Sequence, residues 1–130
     1  MAKLSKKLRM SSGQTGLVIN PPDDFEQMIG GFPGGFTLVE EATNVDFVML
    51  FVLDKADLHE LGPKAILAIK HDGILWFAYP KRDSGLDTDI NQDVGWDVVT
   101  AAGLRAVAQI SLDRTWSAMR FRPVEKVKKR

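Results

Sequence analysis

Residues 46–53 read Asp-Phe-Val-Met-Leu-Phe-Val-Leu, and this stretch decides the fold. After Asp46 the run is apolar on both faces of an extended chain. A strand with one solvated face would alternate polar and apolar residues, whereas a continuous apolar run is typical of a central strand in a parallel sheet. The stretch therefore predicts a parallel sheet that is covered on both faces.

Strand and helix signals alternate on the N-terminal side of this run and directly after it. Residues 16–20, which Pro21-Pro22 end, and residues 36–39 predict strands, with a short helix at residues 25–29 between them. Residues 55–70 have the apolar spacing of a helix, and His71-Asp72-Gly73 supplies the turn that is expected to end it.

The C-terminal half continues the alternation and then changes to a hairpin. Residues 74–79 predict a third buried strand, and Thr88 or Asp89 is expected to cap a helix that reaches Ala102. Residues 104–112 and 115–121 predict two antiparallel strands joined at Asp113-Arg114. The expected fold is α/β: a Rossmann-like three-layer sandwich with a mainly parallel sheet that ends in a C-terminal antiparallel hairpin.

Length and composition limit the class of protein. The chain has 130 residues, which predicts a single domain over residues 1–130. It has no cysteine, which excludes disulfides, thiolate nucleophiles and cysteine-ligated metals. Its longest apolar runs are far shorter than the roughly 20 residues of a membrane span, and its basic N-terminus is not followed by the apolar core of a signal peptide. A cytoplasmic location is therefore expected.

The charges are balanced but unevenly placed. Residues 1–10 carry only basic charges, and residues 120–130 carry six basic residues against Glu125, so the middle of the chain is acidic. Basic tails at residues 1–10 and 124–130 can bind nucleic acid, but no aromatic side chains are interleaved with the outermost charges. We therefore expect solvated ends that add little to stability, and no nucleic-acid partner.

Polar residues follow the predicted parallel strands at the edge where ligands of open α/β sheets bind. The candidate ligand-binding residues are Asn20, Asp54, Tyr79, Lys81, Arg82 and Ser84. The two cations suit a phosphate or carboxylate group, and Asp54 suits a hydroxyl proton. The alternative is structural: Asp54 caps a helix and the cations stay solvated.

A second candidate surface lies on the last predicted strand. The alternation over residues 115–122 places Trp116, Arg120 and Arg122 on one face. Two arginines beside a tryptophan can form a cation–π ladder or receive an anionic ligand.

Other groups of polar residues do not form a convincing metal or catalytic site. The aspartate run from Asp83 to Asp97 matches part of a calcium loop, but Gln92 stands where the loop needs glycine and Val98 where it needs glutamate. His59 and His71 are about 18 Å apart along an unbroken helix, too far for a shared metal. We assign no catalytic residue, no metal and no cofactor.

The chain resembles an uncharacterised family of small bacterial proteins in three runs that together span most of it. These are residues 75–81 (Leu-Trp-Phe-Ala-Tyr-Pro-Lys), residues 88–93 (Thr-Asp-Ile-Asn-Gln-Asp) and residues 113–123 (Asp-Arg-Thr-Trp-Ser-Ala-Met-Arg-Phe-Arg-Pro). This resemblance implies a shared fold and no particular chemistry.

A more remote resemblance is to the core of the S-adenosylmethionine-dependent methyltransferases. Residues 46–53 and residues 69–75 (Ile-Lys-His-Asp-Gly-Ile-Leu) look like that family's fourth strand and the turn into its fifth, and the hairpin looks like its sixth and seventh strands. The family places a glycine-rich turn after its first strand, but this chain has Asn20-Pro21-Pro22 there, and only Glu40 and Glu41 could meet ribose hydroxyls.

Three functions follow from these observations. The first is a non-catalytic Rossmann-like domain that binds a small anionic ligand or a protein partner, the second is a reduced methyltransferase-like enzyme, and the third is a nucleic-acid accessory protein that uses the basic tails. The missing phosphate-loop glycines favour the first function over the second, and the acidic middle of the chain weighs against the third.

Overall fold

The chain alternates strands and helices around one sheet in the computed structural model, which describes residues 4–41 and 43–127. The strands are β1 (Thr15–Ile19), β2 (Thr37–Val39), β3 (Val45–Phe51), β4 (Ile69–Pro80), β5 (Leu104–Ser111) and β6 (Trp116–Pro123). The helices are α1 (Leu4–Lys7), α2 (Phe25–Ile29), α3 (Lys55–Ala68) and α4 (Asp97–Thr100), and a 3₁₀ turn covers Val124–Lys126. Within these described residues, no helix combines the length and apolarity that a membrane crossing requires.

The sheet has the order β2-β1-β3-β4-β6-β5. β1 is parallel to β2 and to β3, and β3 is parallel to β4. β6 runs antiparallel to both of its neighbours, β4 and β5. The predicted fold is confirmed: the sheet is mainly parallel, the apolar run of residues 46–53 supplies an inner strand, and the chain ends in an antiparallel hairpin.

Two hydrophobic cores lie on opposite faces of the sheet because successive side chains of β3 point in opposite directions. Val48 and Leu50 pack on the face that α3 covers, and Phe47, Met49 and Phe51 pack on the face that carries α1 and α2. All five side chains are fully buried or nearly so. A strand that is covered by protein on both faces therefore requires apolar side chains at successive positions, as β3 has.

The strand β4 begins earlier than the sequence predicts. Residues 71–73 belong to β4. The prediction that they form the turn after the helix was therefore wrong. The register shifts between the pairs Val45–Ile69 and Phe47–Ile74, so this part of β4 bulges, and Asp72 takes a φ of 56°. A bulge and a helix end use the same turn-forming residues, which explains the error.

The predicted helix from Thr88 or Asp89 to Ala102 shortens to α4, which covers Asp97–Thr100 only. The polar side chains before it bind nearby backbone instead of capping a helix. Asp89 accepts a hydrogen bond from the N–H of Lys55 at 2.8 Å, and Asn91 accepts from the N–H of Asp93 and Val94. Such side-chain bonds compete with helix formation, and they fold residues 81–96 into a loop that is fixed to the start of α3.

The N-terminal segment is part of the core. Leu8 and Met10 are buried, and the carbonyl of Leu8 accepts a hydrogen bond from the buried indole N–H of Trp76 at 2.9 Å. The expectation that residues 1–10 form a solvated tail is therefore wrong for this part, because a buried indole needs an acceptor and the segment provides it. Residues 1–3 and 128–130 of the two expected tails lie outside the described residues.

Candidate functional site

Strand order reverses between β1 and β3, which is where a Rossmann-like sheet opens a crevice at its carboxyl edge. Asn20 follows β1 with a φ of 59°, and its Nδ2 donates a hydrogen bond to the carbonyl of Phe51 at 3.1 Å. The rings of Phe25 and Phe51 meet edge to face, with centroids 5.5 Å apart. Side chains thus bridge the ends of β1 and β3 at this point.

Asp54 has a structural role at the start of α3. It is the N-cap residue, and its Oδ1 accepts a hydrogen bond from the N–H of Asp57 at 2.9 Å. Asp57 in turn accepts from the N–H of Leu53 at 2.9 Å. The two carboxylates therefore both bind backbone donors at the start of the helix, but Asp57 accepts from the residue before the N-cap and not from the N-cap itself, as it would in a capping box.

A polar cavity of about 340 Å³, here called the tyrosine cavity, opens at the end of β4. Its lining includes Tyr79, Lys81, Arg82, Asp83, Asn91, Gln92, Asp93, Gln109 and Ser117. The Tyr79 hydroxyl accepts a hydrogen bond from Gln109 Nε2 at 2.8 Å. Burial raises the pKa of Tyr79 and the charge of Asp93 raises it further, whereas a hydrogen bond with Ser117 opposes the shift. Tyr79 is therefore a neutral phenol at neutral pH.

A second cavity of about 530 Å³, here called the arginine cavity, lies beside it and is lined by Lys81, Asp83, Ser84, Arg114 and Thr115. The hairpin turn between β5 and β6 brings Arg114 and Thr115 there. The carboxylate of Asp113 accepts from the N–H of Thr115 and of Trp116, each at 2.8 Å, and so fixes the turn.

The loop after β4 supplies the other side of the arginine cavity. The N–H of Lys81 donates to the carbonyl of Thr115 at 2.7 Å, and the N–H of Ser84 donates to the carbonyl of Lys81 at 3.1 Å. The Lys81 ammonium donates to the Ser111 hydroxyl. Two cations and one carboxylate line the cavity, so its lining carries a net positive charge, and the hydroxyls of Ser84 and Thr115 add donors.

Four of the six predicted site residues come together at these two cavities: Tyr79, Lys81 and Arg82 line the first, and Lys81 and Ser84 line the second. Asn20 and Asp54 are bonded elsewhere at the same edge. The sequence-based reasoning missed Arg114 and Thr115. Both residues reach the cavity because Pro80 pairs with Trp116 across β4 and β6, and the sequence pattern of neither strand predicts this pairing.

Trp116, Arg120 and Arg122 share a face of β6 as predicted, but they have separate surroundings. The ring of Trp116 packs edge-on against Phe51, with centroids 5.1 Å apart. Arg122 donates two hydrogen bonds to Asp72, at 2.9 and 2.8 Å. Six residues of extended strand, about 20 Å, separate Trp116 from Arg122, so the three side chains do not form one small-ligand site.

Comparison with solved structures identifies proteins that have a similar fold. The chain aligns with a SAM-dependent methyltransferase from Aquifex aeolicus at a TM-score of 0.56 and 14% identity, covering 89% of this chain and 85% of that one. It aligns with DhpI, solved with SAH, at 0.55 and 10% identity, covering 92% and 82%. The fibrillarin/Nop5p complex gives 0.54 and 11% identity, covering 85% and 73%.

No family model matches the chain, and no curated protein does. The resemblance to an uncharacterised bacterial family therefore stays a prediction. The remote resemblance to the methyltransferase core is supported at the level of fold, since the solved neighbours include SAM-dependent methyltransferases. At such identities the comparisons show a Rossmann-like, methyltransferase-like α/β fold.

Proposed function

We propose that this protein is a small-ligand-binding domain that holds an anionic group, a phosphate or a carboxylate, in the arginine cavity. One observation carries the proposal: Lys81 and Arg114 line the same cavity from two different loops, together with two hydroxyl-bearing residues. The cavity also lies at the carboxyl edge of the parallel strands, where ligands of this fold class bind.

The chemistry of the lining matches an oxyanion. Arg114 offers a planar fork of N–H donors, which pairs with two oxygens of one carboxylate or phosphate group. The hydroxyls of Ser84 and Thr115 can donate to the remaining oxygens. Asp83 offsets part of the positive charge, which favours a ligand that also carries a hydrogen-bond donor.

The adjoining tyrosine cavity supports a binding role over a catalytic one. Its most buried titratable group is Tyr79, whose raised pKa keeps the proton on the phenol. A neutral phenol donates or accepts hydrogen bonds but does not act as a general base at neutral pH. We infer that this cavity holds the uncharged part of the same ligand.

The proposal is tested by titrating isotopically labelled protein with inorganic phosphate and, separately, with acetate, while backbone amide resonances are followed. We expect the amides of Ser84 and Thr115 to move with a dissociation constant below about 1 mM for one of the two anions. Arg114→Gln should weaken that binding by about tenfold or more, through loss of a charge-assisted bond. Lys64→Gln, on the far part of α3, is the matched control. Unmoved amides with both anions would reject the proposal.

A reduced methyltransferase-like enzyme is the second candidate, and the solved neighbours named above favour it. The bridge from Asn20 to Phe51 and the two prolines that follow it weigh against a cofactor at the β1 turn. A protein partner also remains a proposal. It is supported only by the fibrillarin neighbour, which was solved in a complex with Nop5p.

A further inference from the structure

An open groove of about 660 Å³, here called the α3 groove, lies beside the last turn of α3. Its lining consists of Leu17, Glu41, Thr43, Lys64, Leu67 and Ala68. Leu17 and Ala68 are buried members of the core on the sheet face that α3 covers, so the groove opens directly onto that core. It shares no lining residue with the tyrosine cavity or the arginine cavity.

The groove exists because one crossover of the sheet is short. β2 and β3 lie on either side of β1, and residues 40–44 connect them. No helix is present among the described residues of this connection. A crossover in a parallel sheet usually carries a helix that covers the strands beneath it. Here α3 packs on β3 and β4, and the surface of β1 beside it is left without a covering helix.

A projecting apolar side chain stands at the edge of this recess. Leu67 is 77% exposed, more than any other large apolar side chain in the described part of the chain. Lys64, Leu67 and Ala68 are spaced i, i+3 and i+4 and therefore lie on one side of α3. A single exposed leucine is ordinary, but a leucine beside an apolar recess gives one surface both a protruding part and a part that can receive it.

The charges of the lining are also complementary to each other. Glu41 and Lys64 are both exposed, and neither takes part in an ion pair within the described residues. A two-fold axis through the groove would bring Lys64 of one copy to Glu41 of the other, and it would form this pair twice. A surface that carries both halves of an apolar contact and both signs of charge favours a second copy of the chain over an unrelated protein.

We propose that the α3 groove is the interface of a symmetric homodimer. Leu67 of each copy enters the groove of the other, and Lys64 of each copy pairs with Glu41 of the other. The apolar residues form the desolvated centre of the interface, and the charged residues form its rim. Because the arginine cavity has no residue in this interface, dimerisation leaves the proposed anion site open.

The test is sedimentation equilibrium of the full-length protein at increasing concentration. We expect the average mass to reach twice that of the chain, with a dissociation constant below about 100 μM. Leu67→Lys should weaken association by about tenfold or more, because it places a charge in the groove of the other copy. Leu86→Lys, at another exposed leucine, is the matched control. A protein that stays monomeric throughout, or a Leu67 variant that associates normally, would overturn the proposal and leave the groove to a different occupant.

Charge reversal tests the two-fold arrangement itself. Lys64→Glu and Glu41→Lys should each weaken association by about tenfold, because each brings like charges together twice in the dimer. An equal mixture of the two variants should associate again, because both contacts of the mixed dimer then join opposite charges. This recovery also shows that both variants are folded. Glu26→Lys, at an exposed position of α2 on the other sheet face, is the control. A mixture that stays monomeric would contradict the arrangement.

One further pair of measurements separates this interface from the anion site. Arg114→Gln should associate as the unmodified protein does, and Leu67→Lys should bind phosphate or acetate as the unmodified protein does, because the two surfaces have no residue in common. Loss of association in Arg114→Gln would show that the interface lies elsewhere and would reject the α3 groove.

Discussion

Asn20, Pro21 and Pro22 form the turn after β1, where the remote resemblance to the methyltransferases implies a cofactor turn. Pro21 and Pro22 have no backbone N–H, and the side-chain amide of Asn20 already donates a hydrogen bond to the carbonyl of Phe51. Two missing hydrogen bonds of about 1 kcal/mol each would weaken cofactor binding roughly thirtyfold. We therefore predict that isothermal titration with S-adenosylmethionine gives no dissociation constant at or below about 10 μM. Binding at that level would favour the reduced methyltransferase-like enzyme over the ligand-binding domain.

Two carboxylates make stability depend on pH at the acidic end. Hydrogen bonds from Lys70 and then from the N–H of Thr15 lower the pKa of Asp46, and hydrogen bonds from Arg122 lower the pKa of Asp72. Folded-state pKa values below the ordinary value of 3.8 mean that both groups stabilise the fold above that pH. This contribution is lost as the pH falls through the lowered values.

The corresponding measurement is the thermal midpoint between about pH 5 and about pH 2.5. We predict that the midpoint of the double variant Asp46→Asn, Asp72→Asn falls less over this interval than that of the unmodified protein. Asp23→Asn, at an exposed position before α2, is the control and should follow the unmodified protein. Parallel curves for all three proteins would show that the two ion pairs do not contribute.

Single residues could be assigned from the sequence when their role was local. Asp54 caps α3, one of the two roles that the sequence allowed, because capping depends only on residues a few positions away. Asp89 could not be assigned, since its acceptor role joins it to Lys55, 34 residues earlier. The indole of Trp76 donates to the carbonyl of Leu8, 68 residues earlier, and nothing in the sequence around either residue predicts this bond.

Among the elements, α1 and the residues after it show how a short segment can matter to the fold. Leu8 is completely buried although it lies close to the chain start. We predict that Leu8→Ala lowers the free energy of unfolding by about 2–5 kcal/mol, because it leaves a cavity under the N-terminal segment. Urea denaturation measures this loss, and Lys7→Ala, at an exposed position of α1, is the control.

The C-terminal end provides a comparison for this element. The segment after β6 is fixed by the N–H of Val124, which donates to the carbonyl of Gly103, whereas Glu125 and Lys126 are exposed. Deleting residues 125–130 should therefore shift the thermal midpoint by only a degree or two, since exposed charges contribute little. An equal effect of Leu8→Ala and of this deletion would show that the N-terminal segment is not part of the cooperative core.

Elements with a strong apolar pattern were predictable and elements formed by polar loops were not. The β3 run and the hairpin of β5 and β6 have sequence patterns typical of strands. The loop over residues 81–96 contains residues that suit a helix start, but tertiary contacts of Ile90 and Trp96, both buried, hold it in another form. The arginine cavity depends on that loop and on the hairpin turn together, so only two of its five lining residues, Lys81 and Ser84, were predicted.

At the scale of the whole molecule, the sheet divides into a buried centre, formed by β3 and β4, and an exposed edge strand, β5, here called the margin. β3 and β4 are each paired on both sides and covered on both faces, whereas nearly every residue of β5 is exposed. The arginine cavity adjoins the pair β4–β6 at its carboxyl-edge loops. The rigid centre thus holds the site residues in place while the bonded loops supply the polar groups.

This division predicts how the whole molecule responds to one chemical change made in two places. Val48, on β3, is fully buried, and Val107 is the bulged residue of β5 at 39% exposure. Val48→Ala should cost about 2 kcal/mol and should speed hydrogen exchange of the slowest amides on β3 and β4 together, because these open only by global unfolding. Val107→Ala should change stability by no more than about 0.5 kcal/mol and leave those amides unchanged. If the Val107 variant accelerated exchange across β3 and β4 as much as the Val48 variant, the margin would belong to the same cooperative unit as the centre.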